Sequence, residues 1–286
     1  MRQSQDGVLA GQPVGRIGYG AMQLESDGDG VAVLRRAREL GVDHIDTAGF
    51  YGGGSVNALI REALHPYGED LMLVDKVGAA HVDGRLVAAQ QPAQLRASVE
   101  ADLAALGAER LDVVNLRRVD APPGIVATGD QVVDLDDQLA ELIALRDEGK
   151  IGAIGLSSVT VDQLVRAAPA GIVCVQNLYN LLDRGEEPLL AECASRGIAF
   201  VPFFPLGSGF PGHPKVGEQA VVRDIAARYD RTPSQIGLAW LLAHDPHILL
   251  IPGTRQVEHL EQNVAVAGIR LDDRALAALE SDIARP

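Results

Sequence analysis

The chain has 286 residues, 47% of them hydrophobic, and 25 Lys plus Arg against 39 Asp plus Glu leave a formal net charge of −14. That acidity repels phosphodiester backbones and no Lys/Arg block interrupts it, so no nucleic-acid partner is expected. No apolar run approaches the roughly 20 residues of a membrane-spanning helix, and the opening MRQSQDGVLAGQPVG shows no basic segment followed by an apolar core; the expectation is a soluble cytoplasmic protein with no membrane partner.

Along the chain, short β-branched or apolar runs alternate with longer stretches of helical spacing. RIGYGAM (16–22) leads into the amphipathic VAVLRRAREL (31–40), and HIDTA (44–48) is the second run. LMLVDKV (71–77) is followed by the irregular GAAHVDGRLVAAQQP (78–92) and the helical AQLRASVEADLAAL (93–106). DVVNLR (112–117) gives way to VDAPPGIVATGDQ (119–131) and then LDDQLAELIALRDEG (135–149). IGAIGLS (151–157) precedes VDQLVRAA (161–168), and IVCVQN (172–177) precedes EPLLAECASRG (187–197). AFVPFF (199–204) runs into LGSGFPGHPKVGE (206–218) and two further helical stretches before the eighth run, ILLIPG (248–253). Gly41, Gly149 and Gly197 fall where a helix should turn back into a strand, the usual C′ position.

Eight strand-then-helix units imply α/β organisation with parallel strands and crossover helices. An open doubly wound sheet would carry GxGxxG at its first turn, and GYGAMQ lacks the third glycine. A closed (β/α)8 TIM barrel fits the count and the length better. No Pro/Gly/Ser-rich linker divides the chain, so residues 1–286 are expected to form a single domain.

In such a barrel catalytic groups project from the C-terminal ends of strands. The second run ends on Asp46 with Tyr51 just beyond, the third on Lys76, the fourth on Asn115 and Arg117, the fifth on Ser157 and Ser158, the sixth on Gln176 and Asn177, and the seventh on Phe203 and Phe204. A lone lysine at a strand end ordinarily snorkels into water. Beside Asp46 and Tyr51 the reading changes: a buried ammonium needs a carboxylate, and a phenol near an ammonium should have its pKa lowered. Asp, Lys and Tyr together make a tuned general acid for a carbonyl oxygen turning into an alkoxide. Cys174 and Cys193 lie in apolar surroundings and suit buried thiols in a reducing compartment. Seven scattered histidines, without HExxH spacing or any CxxC, give no reason to expect a metal.

The pieces GYGAMQL, GVDHIDTAGFYGGGSVNALIREAL, DKVG, LDVVNLRRVD, IGAIGLSSVTVDQL, VQNLYNLLDR, VPFFPLGSG and IPGTRQVEHLEQN, in this order and spacing, resemble the aldo-keto reductase superfamily almost from end to end. The resemblance implies a (β/α)8 barrel that binds NAD(P)H without a Rossmann domain, transfers hydride to a small-molecule aldehyde or ketone, and is a monomer. Its tetrad of Asp, Tyr, Lys and His falls on Asp46, Tyr51 and Lys76 for the first three. Where members commonly read Leu-Leu-His-Arg, this chain reads NLRR, which puts Arg117 at the histidine position and leaves Arg118 as structural. Three roles stay open to Arg117: electrophilic donor to the carbonyl, ligand for a carboxylate or other anionic group of the substrate, or an arginine outside the chemistry.

The same resemblance assigns the cofactor positions. Ser157 and Gln176 match the pair that bonds the nicotinamide carboxamide, Ser158 stands where many members have Asn, and Phe203 matches the aromatic that stacks on the ring. Gly20, Ala21 and Met22 line the end of the first strand, and Asp46 borders the same pocket. Phe204, Pro205, Leu206 and Ser208 belong to the loop under the pyrophosphate. Ile251, Gly253, Thr254 and Arg255 lead into the 2′-phosphate site, His259 occupies the family's next basic position, and Gln262 and Asn263 match adenine contacts. Arginine beside a hydroxyl at a helix start suits a phosphate, so NADPH is preferred to NADH.

The expected activity is NADPH-dependent carbonyl reduction with Tyr51 as general acid. The alternative is a nicotinamide-binding sensor or regulatory subunit with little turnover, which the altered tetrad leaves open. The chain stops soon after the last helical stretch, so the long loop that covers the pocket in many relatives is expected to be absent. That leaves an open mouth lined by Met22, Phe50, His81 and Phe210, fit for sugars, pyridoxal-like aldehydes or a specialised-metabolite ketone.

Overall fold

The computed structural model describes residues 6–24, 29–122, 124–207 and 214–282; Ser208 and Phe210 lie outside them. A hairpin of β1 (Gly7–Leu9) and β2 (Gln12–Val14) comes first. One sheet is then built from β3 (Tyr19–Gly20), β4 (His44–Asp46) and β5 (Met72–Val77). After a second hairpin, β6 (Ala79–Val82) and β7 (Arg85–Ala88), it continues with β8 (Leu111–Arg117), β9 (Ile151–Ser157), β10 (Ile172–Gln176) and β11 (Ala199–Phe200). These seven sheet strands lie in chain order, every neighbouring pair parallel. The helices are α1 (Gly30–Glu39), α2 (Ser55–Leu64), α3 (Pro92–Leu106), α4 (Leu135–Asp147), α5 (Val161–Ala167), α6 (Glu187–Ser195), α7 (Ala220–Tyr229), α8 (Pro233–His244), α9 (Val257–Ala265) and α10 (Asp273–Asp282). No helix among the described residues is long and apolar enough to cross a membrane.

The sheet curls until its two edges face one further segment. Phe200 N–H donates to His247 O and Leu249 N–H to Phe200 O, both at 2.9 Å. On the other side Leu250 N–H donates to Arg16 O at 2.9 Å and Gly18 N–H to Leu250 O at 2.7 Å. The eighth expected run thus bridges β11 and the approach to β3 through isolated parallel bridges at Ile248 and Leu250, not as a ladder. The seventh run forms a ladder over Ala199–Phe200 and continues as single bonds from Val201 N–H to Val175 O and Phe203 N–H to Asn177 O, either side of Pro202, which has no N–H to give. The result is an α/β fold with a barrel-like parallel sheet.

Strand alternation divides the apolar residues into two layers. Ile45, Leu73, Val114, Leu116, Ile154, Leu156 and Val175 belong to the large core that includes the helices. Val74, Val113, Ala153, Cys174, Ala199, Val201 and Leu249 form a second cluster inside the curl, together with Leu9 and Val14 of the first hairpin. That hairpin lies at the N-terminal ends of the strands, where Gly15 N–H bonds Asp43 and Arg16 donates to the carbonyls of Leu242, Asp245 and Ile248. Room inside is tight: a β-carbon at residue 155 would collide with Asn115 Oδ1 and stand 2.7 Å from Cys174 Sγ.

Both hairpins depart from the sequence reading, which left 78–92 irregular. Asp83 and Gly84 adopt φ of 50° and 74°, the pair of left-handed residues that a two-residue type I′ turn requires. The expected helix ends at Gly41, Gly149 and Gly197 do carry positive φ, at 85°, 80° and 66°. Both cysteines are free and buried.

One polar cluster sits in the outer layer. Asp75, fully buried on the outward face of β5, meets Asp102 of α3, itself 5% exposed. The two carboxyl groups face each other closely enough to share one proton. Burial pushes both pKa values up, and the Asp102 charge raises Asp75 further. Asp102 also accepts from Asn57 Nδ2 at 3.0 Å, and Asn57 Oδ1 accepts from Thr47 Oγ1 at 2.7 Å. The pair therefore anchors the stretch from Thr47 to Asn57 against β5.

Gly155→Ala is expected to cost roughly 1–3 kcal/mol by overpacking, read from denaturant unfolding. For the carboxyl pair, folded pKa values lie above unfolded ones, so stability is greatest below the ordinary Asp range and falls as pH rises through the raised values. Asp75→Asn donates to Asp102 without needing a proton. It should be more stable than the parent at pH 8 by about 1 kcal/mol or more, one pKa unit being about 1.4 kcal/mol. The gain should shrink towards pH 4, and a variant less stable at pH 8 would contradict the shared proton.

Candidate active site

Parallel register sets the ends of the strands around one mouth. Gly20 pairs with Asp46, Asp46 with Val74, Lys76 with Asn115, and Arg117 with Ser157, which in turn pairs with Gln176. Each partner lies further along its strand, so the stagger lifts Lys76 to the level where it meets the Asp46 carboxylate. Lys76 Nζ donates to Asp46 Oδ1 in a short ion pair and to Thr47 O at 3.3 Å. The same ammonium lies 5.1 Å from the centre of the Tyr51 ring. Burial alone would disfavour the charge, but Asp46 and Tyr51 outweigh it and hold the Lys76 pKa above its ordinary value.

Tyr51 corrects the sequence expectation. Burial is the largest influence on its phenol and raises the pKa above the ordinary value, Asp46 adding to the rise. Lys76 and Arg117 pull it back without reversing it. The phenol is thus held protonated at neutral pH, beside two cations that would stabilise the phenolate once the proton has left.

Arg117 and Arg118 are as different as neighbours on a strand can be. Arg118 is 7% exposed and fully engaged: a two-pronged pair with Asp120 at 2.9 and 2.7 Å, the Val133 carbonyl at 3.0 Å, and Gln138 Oε1. Arg117 points to the mouth, its guanidinium carbon 5.8 Å from the Phe50 ring centre. Among the described residues that guanidinium makes no hydrogen bond or ion pair. Burial lowers its pKa and Tyr51 opposes the fall, but a guanidinium remains charged. Behind it Gln90 Nε2 donates to the carbonyls of Gly78 and Arg117, at 2.6 and 2.9 Å, tying β5 to β8, while Gln138 Nε2 donates to Gln90 Oε1 at 2.9 Å.

On the opposite side, Gln176 Nε2 donates to Asp46 Oδ2 at 2.6 Å, and Gln176 Oε1 is buried without a partner. Ser157 is 3% exposed at the end of β9. Ser158 has φ of 58°, in the left-handed region that Asn adopts more readily than most residues. Its turn is pinned by Asn177, whose side chain bonds Val159 N–H and O at 3.1 and 2.8 Å. Phe203 and Phe204 stand edge to face at 5.4 Å. Phe204 has φ of 52°, strain that persists where surroundings fix it, and Asn180 Nδ2 fixes it by bonding the Phe204 carbonyl at 3.0 Å. Pro205 and Leu206 follow, partly buried. Thr47, Asn57, Gln90 and Asn180 were not singled out in the sequence as holding the site, and only their burial and hydrogen bonds reveal it, while Asn177, read there as a strand end, proves to pin the turn after β9.

Ala21 is buried and Met22 is 48% exposed beyond β3. Gly20 leaves no room for a side chain against the Ile251 carbonyl, and a β-carbon on Gly253 would lie 2.6 Å from Gly20 O. Tyr19 Oη donates to Thr254 O at 2.7 Å, so the approach to α9 is pinned on β3. Thr254 Oγ1 accepts from Gln256 N–H at 3.1 Å, while Arg255 and His259 are exposed where α9 begins. Gln262 is partly buried and Asn263 is 9% exposed on α9. The positions expected for the tetrad and carboxamide thus lie at the strand ends, those expected for the phosphate lie before α9 and at its start, and Gln262 and Asn263 lie in its second half.

Known proteins are similar along nearly the whole chain. The chain is 41% identical over 284 residues to pyridoxine 4-dehydrogenase of Escherichia coli (strain K12), covering 96% of each. It is 38% identical over 280 residues to an uncharacterized oxidoreductase of Schizosaccharomyces pombe, covering 94% of this chain and 87% of the relative. The crystal structure of an aldo-keto reductase from Klebsiella pneumoniae in complex with NADPH matches with a TM-score of 0.81 at 26% identity, over 98% of this chain and 95% of that one. With the family model for aldo/keto reductases matching residues 16–283, the chain belongs to the aldo/keto reductase family.

Proposed function

We propose that this protein is an NADPH-dependent carbonyl reductase of the cytoplasm that converts an aldehyde, of the pyridoxal type, to its alcohol, on a sheet closed into a full (β/α)8 barrel by the segment through Ile248 and Leu250. The carrying observation is the Lys76 to Asp46 ion pair lying under the Tyr51 ring. The relative that acts on pyridoxine supports the substrate class, and the NADPH-bound neighbour supports the cofactor.

The residues present fit the cofactor. Gln176 Oε1 is a buried acceptor awaiting a donor, as a carboxamide N–H would be. Ser157 shares that end of the site, Phe203 offers a face to the nicotinamide ring, and Arg255 with Thr254 offers a cation and a hydroxyl to a 2′-phosphate. NADPH, when bound, supplies the hydride for the carbonyl carbon. Tyr51 and Arg117 receive the carbonyl oxygen, and Tyr51 gives it a proton as negative charge develops there. Lys76 stabilises the phenolate that remains, and Asp46 keeps Lys76 charged throughout.

With pyridoxal and NADPH, loss of reduced-nicotinamide absorbance should be steady and protein-dependent. Tyr51→Phe should lower kcat by about 10²–10⁴-fold and leave the NADPH dissociation constant within about twofold. Binding of NADPH without reduction of any aldehyde would favour the regulatory-subunit reading instead. Arg255→Leu should weaken NADPH roughly tenfold or more by loss of a charge-assisted contact and leave NADH nearly unchanged, as fluorescence titration of both cofactors would read.

A further inference from the structure

Among the described residues, Arg117 is a guanidinium with its donors uncommitted, beside the phenol proposed as the acid. Its strand neighbour shows what this chain does with a structural arginine, since Arg118 spends its donors on Asp120, Val133 and Gln138. Among the described residues, the only titratable group facing Arg117 closely enough to influence it is Tyr51. Its other described neighbours include the Phe50 ring at 5.8 Å and Gly124, where a β-carbon would stand 3.4 Å from Nη2. A half-buried cation without an anion is costly, and this one is positioned to receive its anion from a ligand.

The wall beside it narrows the choice. Phe50 packs with Ala48 and Ala79, and Tyr51, Leu86 and Ile125 pack against them, so the mouth next to Arg117 presents apolar and aromatic surface. A flat, unsaturated ring suits that wall better than a polyhydroxylated chain. A neutral imidazole has one N–H to offer a carbonyl oxygen, whereas a guanidinium offers two parallel N–H groups in a fixed fork. Two acceptors are therefore matched when the second oxygen lies beside the first.

We infer that Arg117 selects aromatic aldehydes that carry an ionisable hydroxyl ortho to the formyl group, one N–H binding the carbonyl oxygen and its neighbour the ortho oxyanion. The inference rests on the reductase reading above and gives its substrate a chemical signature. Pyridoxal has that signature, with its hydroxyl on the carbon next to the one that bears the formyl group. The fork also keeps the formyl group in the plane of the ring, which fixes the face presented to the cofactor.

The test compares salicylaldehyde, benzaldehyde, 4-hydroxybenzaldehyde and phenylglyoxylate in the parent, Arg117→Lys and Arg117→His, all with NADPH. In the parent, kcat/KM for salicylaldehyde should exceed that for benzaldehyde tenfold or more, with no such preference for the 4-hydroxy isomer. The ratio should fall to within about threefold in Arg117→His and only partly recover in Arg117→Lys, which keeps the charge and loses the fork. Dissociation constants of the same compounds on the NADP⁺-bound proteins, measured by calorimetry, carry the comparison for any variant without turnover. A salicylaldehyde preference equal in parent and variants overturns the inference while leaving the reductase intact, as does an Arg117-dependent preference for phenylglyoxylate alone. Failure of the parent to bind NADPH or reduce any of the four overturns both.

Discussion

An ammonium buried among parallel strands has to be met by a carboxylate, and the Lys76 to Asp46 pair sets the terms for everything around it. Removing one partner of such a pair leaves an unpaired buried charge, at about 3–5 kcal/mol. Because Asp46 lies level with Val74 and not with Lys76, the pair forms only with the observed stagger between β4 and β5. Asp46 then spends its second oxygen on Gln176, which reaches it from across the interior of the curl. Two strands far apart in sequence are thereby tied through one carboxylate, and the phenol of Tyr51 sits over the cation that results.

The alternation of β-branched runs and amphipathic stretches was enough to anticipate the parallel sheet and its order, since each strand pairs with the next sheet strand in sequence. Positions such as Asp46, Lys76 and Gln176 were legible because strand ends in this architecture converge on one face. The hairpin through Asp83 and Gly84 was signalled by its turn dipeptide between alternating residues, yet the richness of small residues around it masks that signal. What could not be read at all was the outcome of competition between opposing influences. A phenol near an ammonium should become more acidic, and Tyr51 does not, because its burial outweighs Lys76. Likewise Asp75 looks in sequence like an ordinary strand carboxylate, and only its burial, with Asp102 opposite, raises its pKa well above the ordinary value.

The paired arginines show how backbone alternation assigns two roles to one residue type. Arg117 and Arg118 are adjacent, so their side chains leave β8 on opposite faces. Outward, Arg118 finds Asp120 and Gln138 and becomes a rivet between the end of β8 and α4. Inward, Arg117 finds a phenol and an aromatic wall. Gln90 stands behind both, holding the Arg117 carbonyl and passing its own carbonyl oxygens to Gln138, so the stiffness that orients the mouth-facing arginine is drawn from the buried network of its neighbour.

The first hairpin seats Leu9 and Val14 in the inner apolar cluster, below Asp46 and Gln176. It acts as a floor. Among the described residues, that hairpin puts apolar side chains between the buried ion pair and the N-terminal ends of the strands. On the proposed assignment, with that floor in place, the proton that reloads Tyr51 after each turnover would enter by the opening that admits the aldehyde and releases the alcohol. Reprotonation and product exit would then compete for one doorway, and the width of that doorway, not the acidity of the phenol alone, would govern how quickly the acid is ready again.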